Sequence, residues 1–72
     1  MTEQSEGRWF RRYRQDWIAE MLRIYGFINR EHLIRKFEVS TPQASNDLRQ
    51  FQAERPGVMT YNSSTKRYEA TK

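Results

Sequence analysis

The sequence predicts a mainly α-helical domain that ends in a small β-hairpin. Up to residue 51, apolar residues recur every three or four positions, which is the period of a helix. After the breaker pair Pro56-Gly57 the period changes to that of a strand. We therefore assign residues 8–72 to one domain and residues 1–7, which are polar and acidic, to a disordered tail.

The first helix is predicted from Arg8 to Tyr25, and Gly26 ends it because glycine is favoured just past a helix C-terminus. Its apolar residues lie three and four positions apart and so define one helical face. They are Phe10, Tyr13, Trp17, Met21 and Ile24, with Ile18, Leu22 and Tyr25 beside them.

The second helix is short, and Asn29 is its predicted N-cap. Its apolar stripe consists of Leu33, Ile34 and Phe37. A tight turn over Glu38 and Val39 follows. Many such turns carry glycine where this one carries Glu38.

The third helix is predicted to begin at Ser40 or Thr41, with Pro42 in its first turn, where the missing N–H has no structural cost. Its buried face is predicted to be Ala44, Leu48 and Phe51, and it should end before Pro56. Asp47 lies beside this face, and we expect it to pair with an arginine of the same chain.

Two β-prone runs close the chain, residues 58–61 and 66–70, separated by the polar loop 62–65. An isolated hairpin is unstable in water, so it must pack on the helices. Three helices followed by a two-stranded hairpin is the layout of a winged helix-turn-helix domain.

Composition narrows the function classes. Thirteen basic residues against nine acidic ones give a net charge of +4, which favours an anionic partner such as nucleic acid. There is no cysteine, and His32 is the single histidine, so we expect no zinc site and no cofactor. No nucleophile motif or phosphate-binding loop is present, and we expect no enzymatic activity. No segment has the ~20 apolar residues of a membrane span, and we expect a cytoplasmic protein.

The third helix is the candidate recognition helix, because its predicted outer face carries short polar side chains. Base edges in the major groove are the expected targets of four residues: Gln43, Asn46, Arg49 and Gln50. Ser40, Thr41 and Ser45 suit phosphate oxygens near the helix N-terminus. The alternative is an ordinary amphipathic helix with a solvated polar face.

The hairpin loop offers further phosphate contacts, for which Lys66 and Arg67 are the candidates. The alternative is a solvated turn with charges that protect a strand edge. In residues 8–14 arginines alternate with aromatic residues, which suggests an arm that binds nucleic acid. We prefer the alternative, in which the aromatic residues join the core and the arginines form the solvent-exposed face of the helix. Trp9 and Trp17 also suggest a dimer contact.

Several of these residues together resemble the N-terminal winged-helix domain of WYL-domain transcription regulators, in the branch found beside phage-defence genes. The resemblance covers roughly residues 10–70. It rests on Trp17, Tyr25-Gly26-Phe27-Ile28-Asn29-Arg30, Leu33, Phe37-Glu38-Val39-Ser40, Gln43-Ala44-Ser45-Asn46-Asp47-Leu48, Pro56, Tyr61, Lys66 and Tyr68. DeoR-type winged helices are similar more loosely.

The resemblance implies a domain that binds palindromic double-stranded DNA operators as a homodimer, usually as a repressor, with residues 41–52 as the recognition helix. Members of that family continue into a WYL domain and a dimerising tail, whereas this sequence stops at Lys72. We therefore expect either an excised DNA-binding fragment or a free-standing relative. Two alternatives remain open, a winged-helix protein-interaction module and an RNA-binding winged helix.

Overall fold

The computed structural model describes residues 3–71, with side chains over residues 9–71. It contains three helices and three short strands. In chain order these are α1 (Glu3–Tyr25), β1 (Phe27–Ile28), α2 (Arg30–Phe37), α3 (Thr41–Glu54), β2 (Met59–Asn62) and β3 (Arg67–Ala70). The predicted winged helix-turn-helix class is therefore confirmed. Within residues 3–71, no helix is long and apolar enough to cross a membrane.

Helix α1 begins at Glu3, so it includes residues 3–7, which the sequence analysis assigns to a disordered tail. That assignment rested on the polar, acidic character of the segment. Acidic residues are also favoured in the first turn of a helix, where they complement the dipole, so composition alone does not separate the two states. Residues 1 and 2 lie outside the described residues.

The sheet has three antiparallel strands in the order β1-β3-β2. The sequence analysis predicted only the two strands of the hairpin and missed β1. Gly26 ends α1 with φ +83° and donates its N–H to the carbonyl oxygen of Leu22 at 3.0 Å. The chain turns there directly into β1, in which Phe27 pairs with Glu69 and Ile28 with Tyr68. This strand attaches the hairpin to the helices, which supplies the support that an isolated hairpin requires.

Five of the six elements contribute buried residues to one apolar core, and β3 packs against the edge of this core. Its buried members are Ile18, Leu22, Ile28, Leu33, Ala44, Leu48, Phe51 and Met59. The predicted faces of α2 and α3 are confirmed, because Leu33, Ala44, Leu48 and Phe51 are all buried.

The predicted face of α1 is confirmed only in part: Trp17 and Met21 pack against the core, but the most buried line lies about one helix position further along. Ile18 and Leu22 are buried, whereas Phe10, Tyr13 and Ile24 are about half exposed. Both sets have helical spacing, so periodicity alone does not choose between them. The choice is made by the packing of α1 against α3 and β1, because Ile18 and Leu22 form one buried cluster with residues of those two elements.

The turn of the helix-turn-helix holds Glu38 in the left-handed region, with φ +56°, as the C-cap of α2. Its N–H donates to the carbonyl oxygen of Ile34 at 2.8 Å. Glycine is the residue usually found in this conformation, because a Cβ atom is crowded there. The geometry thus explains why many such turns carry glycine where this one carries Glu38.

Replacing Glu38 by glycine is expected to stabilise the domain. The left-handed conformation costs a residue other than glycine about 1–2 kcal/mol, and glycine removes this cost. The greater conformational freedom of glycine in the unfolded chain cancels about 0.5–1 kcal/mol of the gain. A net gain of about 0.5–1 kcal/mol should raise the melting temperature by several degrees. The matched control is Glu31→Gly in the first turn of α2, which should lower it. A lower melting temperature for Glu38→Gly would contradict this account of the turn.

Candidate nucleic-acid interface

Helix α3 presents one buried and one exposed face. Ser40 is its N-cap, and the hydroxyl oxygen accepts a hydrogen bond from the N–H of Gln43 at 3.2 Å. Ala44 and Leu48 lie in the core, while Asn46 and Arg49 on the opposite face are exposed. Asn46 and Arg49, two of the four residues predicted to contact base edges, therefore face solvent.

A buried carboxylate fixes α3 to α1. Asp47 is fully buried and accepts hydrogen bonds from Arg14, at 2.6 Å from Nε and 3.2 Å from Nη2. The carbonyl oxygen of Asp47 accepts a further bond from the side-chain amide of Gln15 at 3.0 Å. The predicted pairing of Asp47 with an arginine is confirmed, and the two-bond geometry sets both the rotation and the position of the exposed face.

Two of the predicted base-contacting residues are less available than the other two. Gln43 is half-buried, and its Nε2 donates to Oδ1 of Asp47 at 2.9 Å. Its amide is thus used inside the protein, whereas pairing with adenine requires both amide atoms. Gln50 is also half-buried. Ser40 and Thr41 are exposed at the N-terminus of α3, where phosphate oxygens can approach.

A cleft of about 270 Å³ lies between α3, the N-terminus of α2 and the hairpin. It is lined by Asn29, Arg30, Ser45, Leu48, Arg49, Tyr61, Lys66 and Tyr68. The structure brings together three predicted residues, Ser45, Arg49 and Lys66, from separate parts of the chain. We name this the α3–wing cleft.

The sequence analysis gave no site role to Arg30, Tyr61 or Tyr68, which also line the α3–wing cleft. Arg30 is the first residue of α2, and its Nη1 donates to the hydroxyl oxygen of Ser45 at 3.3 Å. Tyr61 lies on β2, about half exposed, with its ring 5.0 Å from that of Tyr68. The signal for Arg30 was its place directly after the N-cap Asn29, since the first helix of a helix-turn-helix crosses the DNA backbone.

The wing turn is ordered by Asn62, whose Oδ1 accepts hydrogen bonds from the N–H groups of Ser64 at 2.9 Å and Thr65 at 3.3 Å. Lys66 closes the turn with φ +60° and donates its N–H to the carbonyl oxygen of Asn62 at 2.7 Å. These bonds hold the turn beside the α3–wing cleft.

Arg67 contacts groups of its own chain. Its Nε lies 3.0 Å from Oε2 of Glu69, and its guanidinium group covers the ring of Phe27 at 4.1 Å. The hydrogen bond from Arg67, followed by that from Asn62, lowers the pKa of the Glu69 carboxyl. Arg67 therefore joins β1 to β3, and of the two predicted wing cations Lys66 is the exposed one.

An aromatic surface lies on α1, outside the core. Trp9, Phe10 and Tyr13 are 62%, 52% and 48% exposed, and the Trp9 and Tyr13 rings are stacked with centroids 5.7 Å apart. Trp17 is partly buried against Phe37. The preferred sequence interpretation, in which Phe10 and Tyr13 join the core, is wrong for both. Arg8 lies outside the described side chains.

His32 has a structural role at the start of α2. Its Nδ1 accepts a hydrogen bond from the N–H of Asn29, and the side chain of Asn29 accepts from the N–H of His32, each at 3.2 Å. This reciprocal pair confirms Asn29 as the N-cap. Among the side chains of residues 9–71, no three His, Asp or Glu lie close enough together to hold a metal ion.

Comparison with known proteins agrees with this geometry. A family model described as the BrxR transcriptional regulator winged helix-turn-helix domain matches residues 8–72. Two curated Escherichia coli proteins, one of them from strain KTE188, are both named DNA-binding transcriptional repressor CapW. Each is 38% identical to the chain over 65 residues.

The alignment covers 90% of the chain and 22% of each relative, so the chain spans about a fifth of the length of the curated relatives that it matches. The matches confirm the resemblance to this branch of regulators. The chain therefore belongs to the family of BrxR transcriptional regulator winged helix-turn-helix domains.

Proposed function

We propose that the chain binds double-stranded DNA sequence-specifically, as the operator-reading domain of a transcriptional repressor. The family to which the chain belongs consists of winged helix-turn-helix domains of transcriptional regulators, which supports this proposal. The relatives are named DNA-binding repressors. The observation that carries the proposal is the exposed polar face of α3, which lies beside the cationic α3–wing cleft.

In the proposed complex α3 enters the major groove, and its N-terminal half approaches the base edges. Asn46 is exposed and can form two hydrogen bonds with an adenine. Gln50 lies one turn further along the same helix, outside this N-terminal half, and is half-buried. Ser40 and Thr41 at the helix N-terminus bind phosphate oxygens, as does Lys66 from the wing.

The finer features of this function are also proposals. A palindromic operator requires two copies of the domain, related by a two-fold axis. The aromatic surface of Trp9, Phe10 and Tyr13 supports a homodimer, because aromatic residues are enriched in such interfaces. We place the protein in the cytoplasm, because that is where a bacterial transcriptional regulator meets the chromosome.

Selection of bound duplexes from a random pool tests the proposal. The enriched sites should contain inverted half-sites one helical turn, about 34 Å, or a multiple of it apart. Affinity for the selected duplex should exceed that for unrelated duplexes by at least about 10³-fold and should fall steeply with salt.

The alternatives give different results in the same assay. An RNA-binding domain prefers hairpin RNA to the selected duplex in competition. A protein-interaction module enriches no sequence and shows no salt-dependent duplex binding. Either outcome would remove the proposed function.

A further inference from the structure

We infer that the α3–wing cleft binds one phosphate group of the DNA backbone and that Arg49 contacts this phosphate rather than a base. The inference rests on the proposed function, and it changes the role that the sequence analysis gave to Arg49. Arg30 and Lys66 complete the site, from α2 and from the wing.

The charge of the cleft is the first argument. Among the described residues that line it, Arg30, Arg49 and Lys66 are positive and none is a carboxylate. Arg11, Arg12 and Arg55 line another cleft, but that cleft also holds the carboxylates of Asp16 and Glu54. Four further arginines are paired directly. Arg14, Arg23, Arg35 and Arg67 each lie within 3.8 Å of a carboxylate oxygen.

By contrast, no ion pair among side chains 9–71 involves Arg30, Arg49 or Lys66. Three like charges that converge without a counter-charge repel one another in the free domain. An anion between them removes this repulsion and accepts their hydrogen bonds. In a duplex-binding domain the anion is a backbone phosphate.

The neutral groups of the cleft suit the same ligand. The hydroxyl of Ser45 already accepts a bond from Arg30, so its own hydrogen is free to be donated outward. Tyr61 brings a phenolic O–H on an exposed side chain. Hydroxyl donors and guanidinium groups together form the usual set of contacts to phosphate oxygens.

The backbone of the wing is the second argument. Lys66 has φ +60°, a conformation in which glycine is favoured, yet the residue has a long cationic side chain. Strained backbone positions are enriched at ligand-binding sites, and unlike Glu38, which caps α2, Lys66 lines a cleft. Here the benefit is a cation held at the edge of the cleft.

The position of Arg49 along α3 is the third argument. Base edges are contacted by the N-terminal residues of a recognition helix. Arg49 lies eight residues after Thr41, which is about 12 Å along the axis at 1.5 Å per residue. Its side chain also lines the cleft that faces the wing, whereas Asn46, three residues earlier, is absent from that lining.

Single-residue variants test the assignment. Arg30→Ala, Arg49→Ala and Lys66→Ala should each weaken binding to the operator and to an unrelated duplex by the same factor, about 3–10-fold. Each should also reduce the slope of log K against log salt, by at most about 1, because each variant loses one of the cations that neutralise the phosphate. The control Asn46→Ala should weaken operator binding alone and leave the slope unchanged.

A methylphosphonate scan identifies the phosphate. Operator duplexes that carry one neutral linkage at a time are bound by the wild-type protein and by the three variants. One linkage should weaken wild-type binding and cause a smaller further loss in Arg49→Ala, Arg30→Ala and Lys66→Ala, because each variant has already lost one of the three contacts to that phosphate. That shared position is the phosphate in the cleft.

Two results would overturn the assignment. If Arg49→Ala loses discrimination at one base pair and keeps the wild-type salt slope, Arg49 contacts a base, while the proposed function stands. If all three variants bind both duplexes like the wild type, the cleft contacts no phosphate. Failure of the proposed function is distinguishable, because the wild-type protein itself then shows no salt-dependent duplex binding.

Discussion

Replacing Asp47 by alanine is expected to lower the free energy of unfolding by about 3 kcal/mol or more, because it leaves the largely buried charge of Arg14 without its partner. The change also removes the acceptor of the Gln43 amide. A domain of this size has a total stability of roughly 4–11 kcal/mol. The variant should therefore lose between about a quarter and most of its stability.

Urea denaturation followed by circular dichroism measures the effect. The matched control is Glu54→Ala, an exposed carboxylate on the same helix, which should change stability by less than about 0.5 kcal/mol. Asp47→Asn keeps an acceptor for Arg14 without the charge and should lie between the two. If Asp47→Ala and Glu54→Ala unfold at the same urea concentration, the ion pair does not hold α3 to α1.

Replacing Asn46 by aspartate is expected to abolish operator binding, with a loss of about 100-fold or more. The new side chain has the same shape but loses the amide donor that an adenine requires. It also brings a negative charge into a groove bordered by phosphates. Because Asn46 is exposed, the fold should be unaffected.

The matched control for charge is Arg23→Ala, which changes the net charge by the same single unit. Arg23 lies on α1, exposed and paired with Glu20, and it does not line the α3–wing cleft. Its operator affinity should stay within a few-fold of the wild type. Equal losses for the two variants would mean that net charge, and not the face of α3, controls binding.

The helix-turn-helix could be predicted because its signals are local. Asn29 and Ser40 are side chains that cap the helix they precede, and Pro56-Gly57 stops α3 wherever the rest of the chain lies. The same holds for the buried face of α3, whose apolar residues have no competing set at helical spacing.

Other features depend on contacts between distant segments. Strand β1 has two residues, too few for any periodic signal, and it exists through its pairing with β3 about forty residues later. The buried face of α1 is selected by α3 and β1 from two apolar faces of similar spacing. The α3–wing cleft combines residues of α2, α3 and the hairpin, so Arg30 and Tyr61 entered it only once the fold was known.

The central claim is that the exposed face of α3 contacts base edges of duplex DNA. It is tested most directly by measuring the affinity of the wild type and of Asn46→Ala for every single-base-pair substitution of the selected operator. The account predicts that the wild type discriminates about tenfold or more at one A·T pair in each half-site, and that Asn46→Ala loses discrimination there and nowhere else. A variant that keeps the wild-type profile at every position would contradict it.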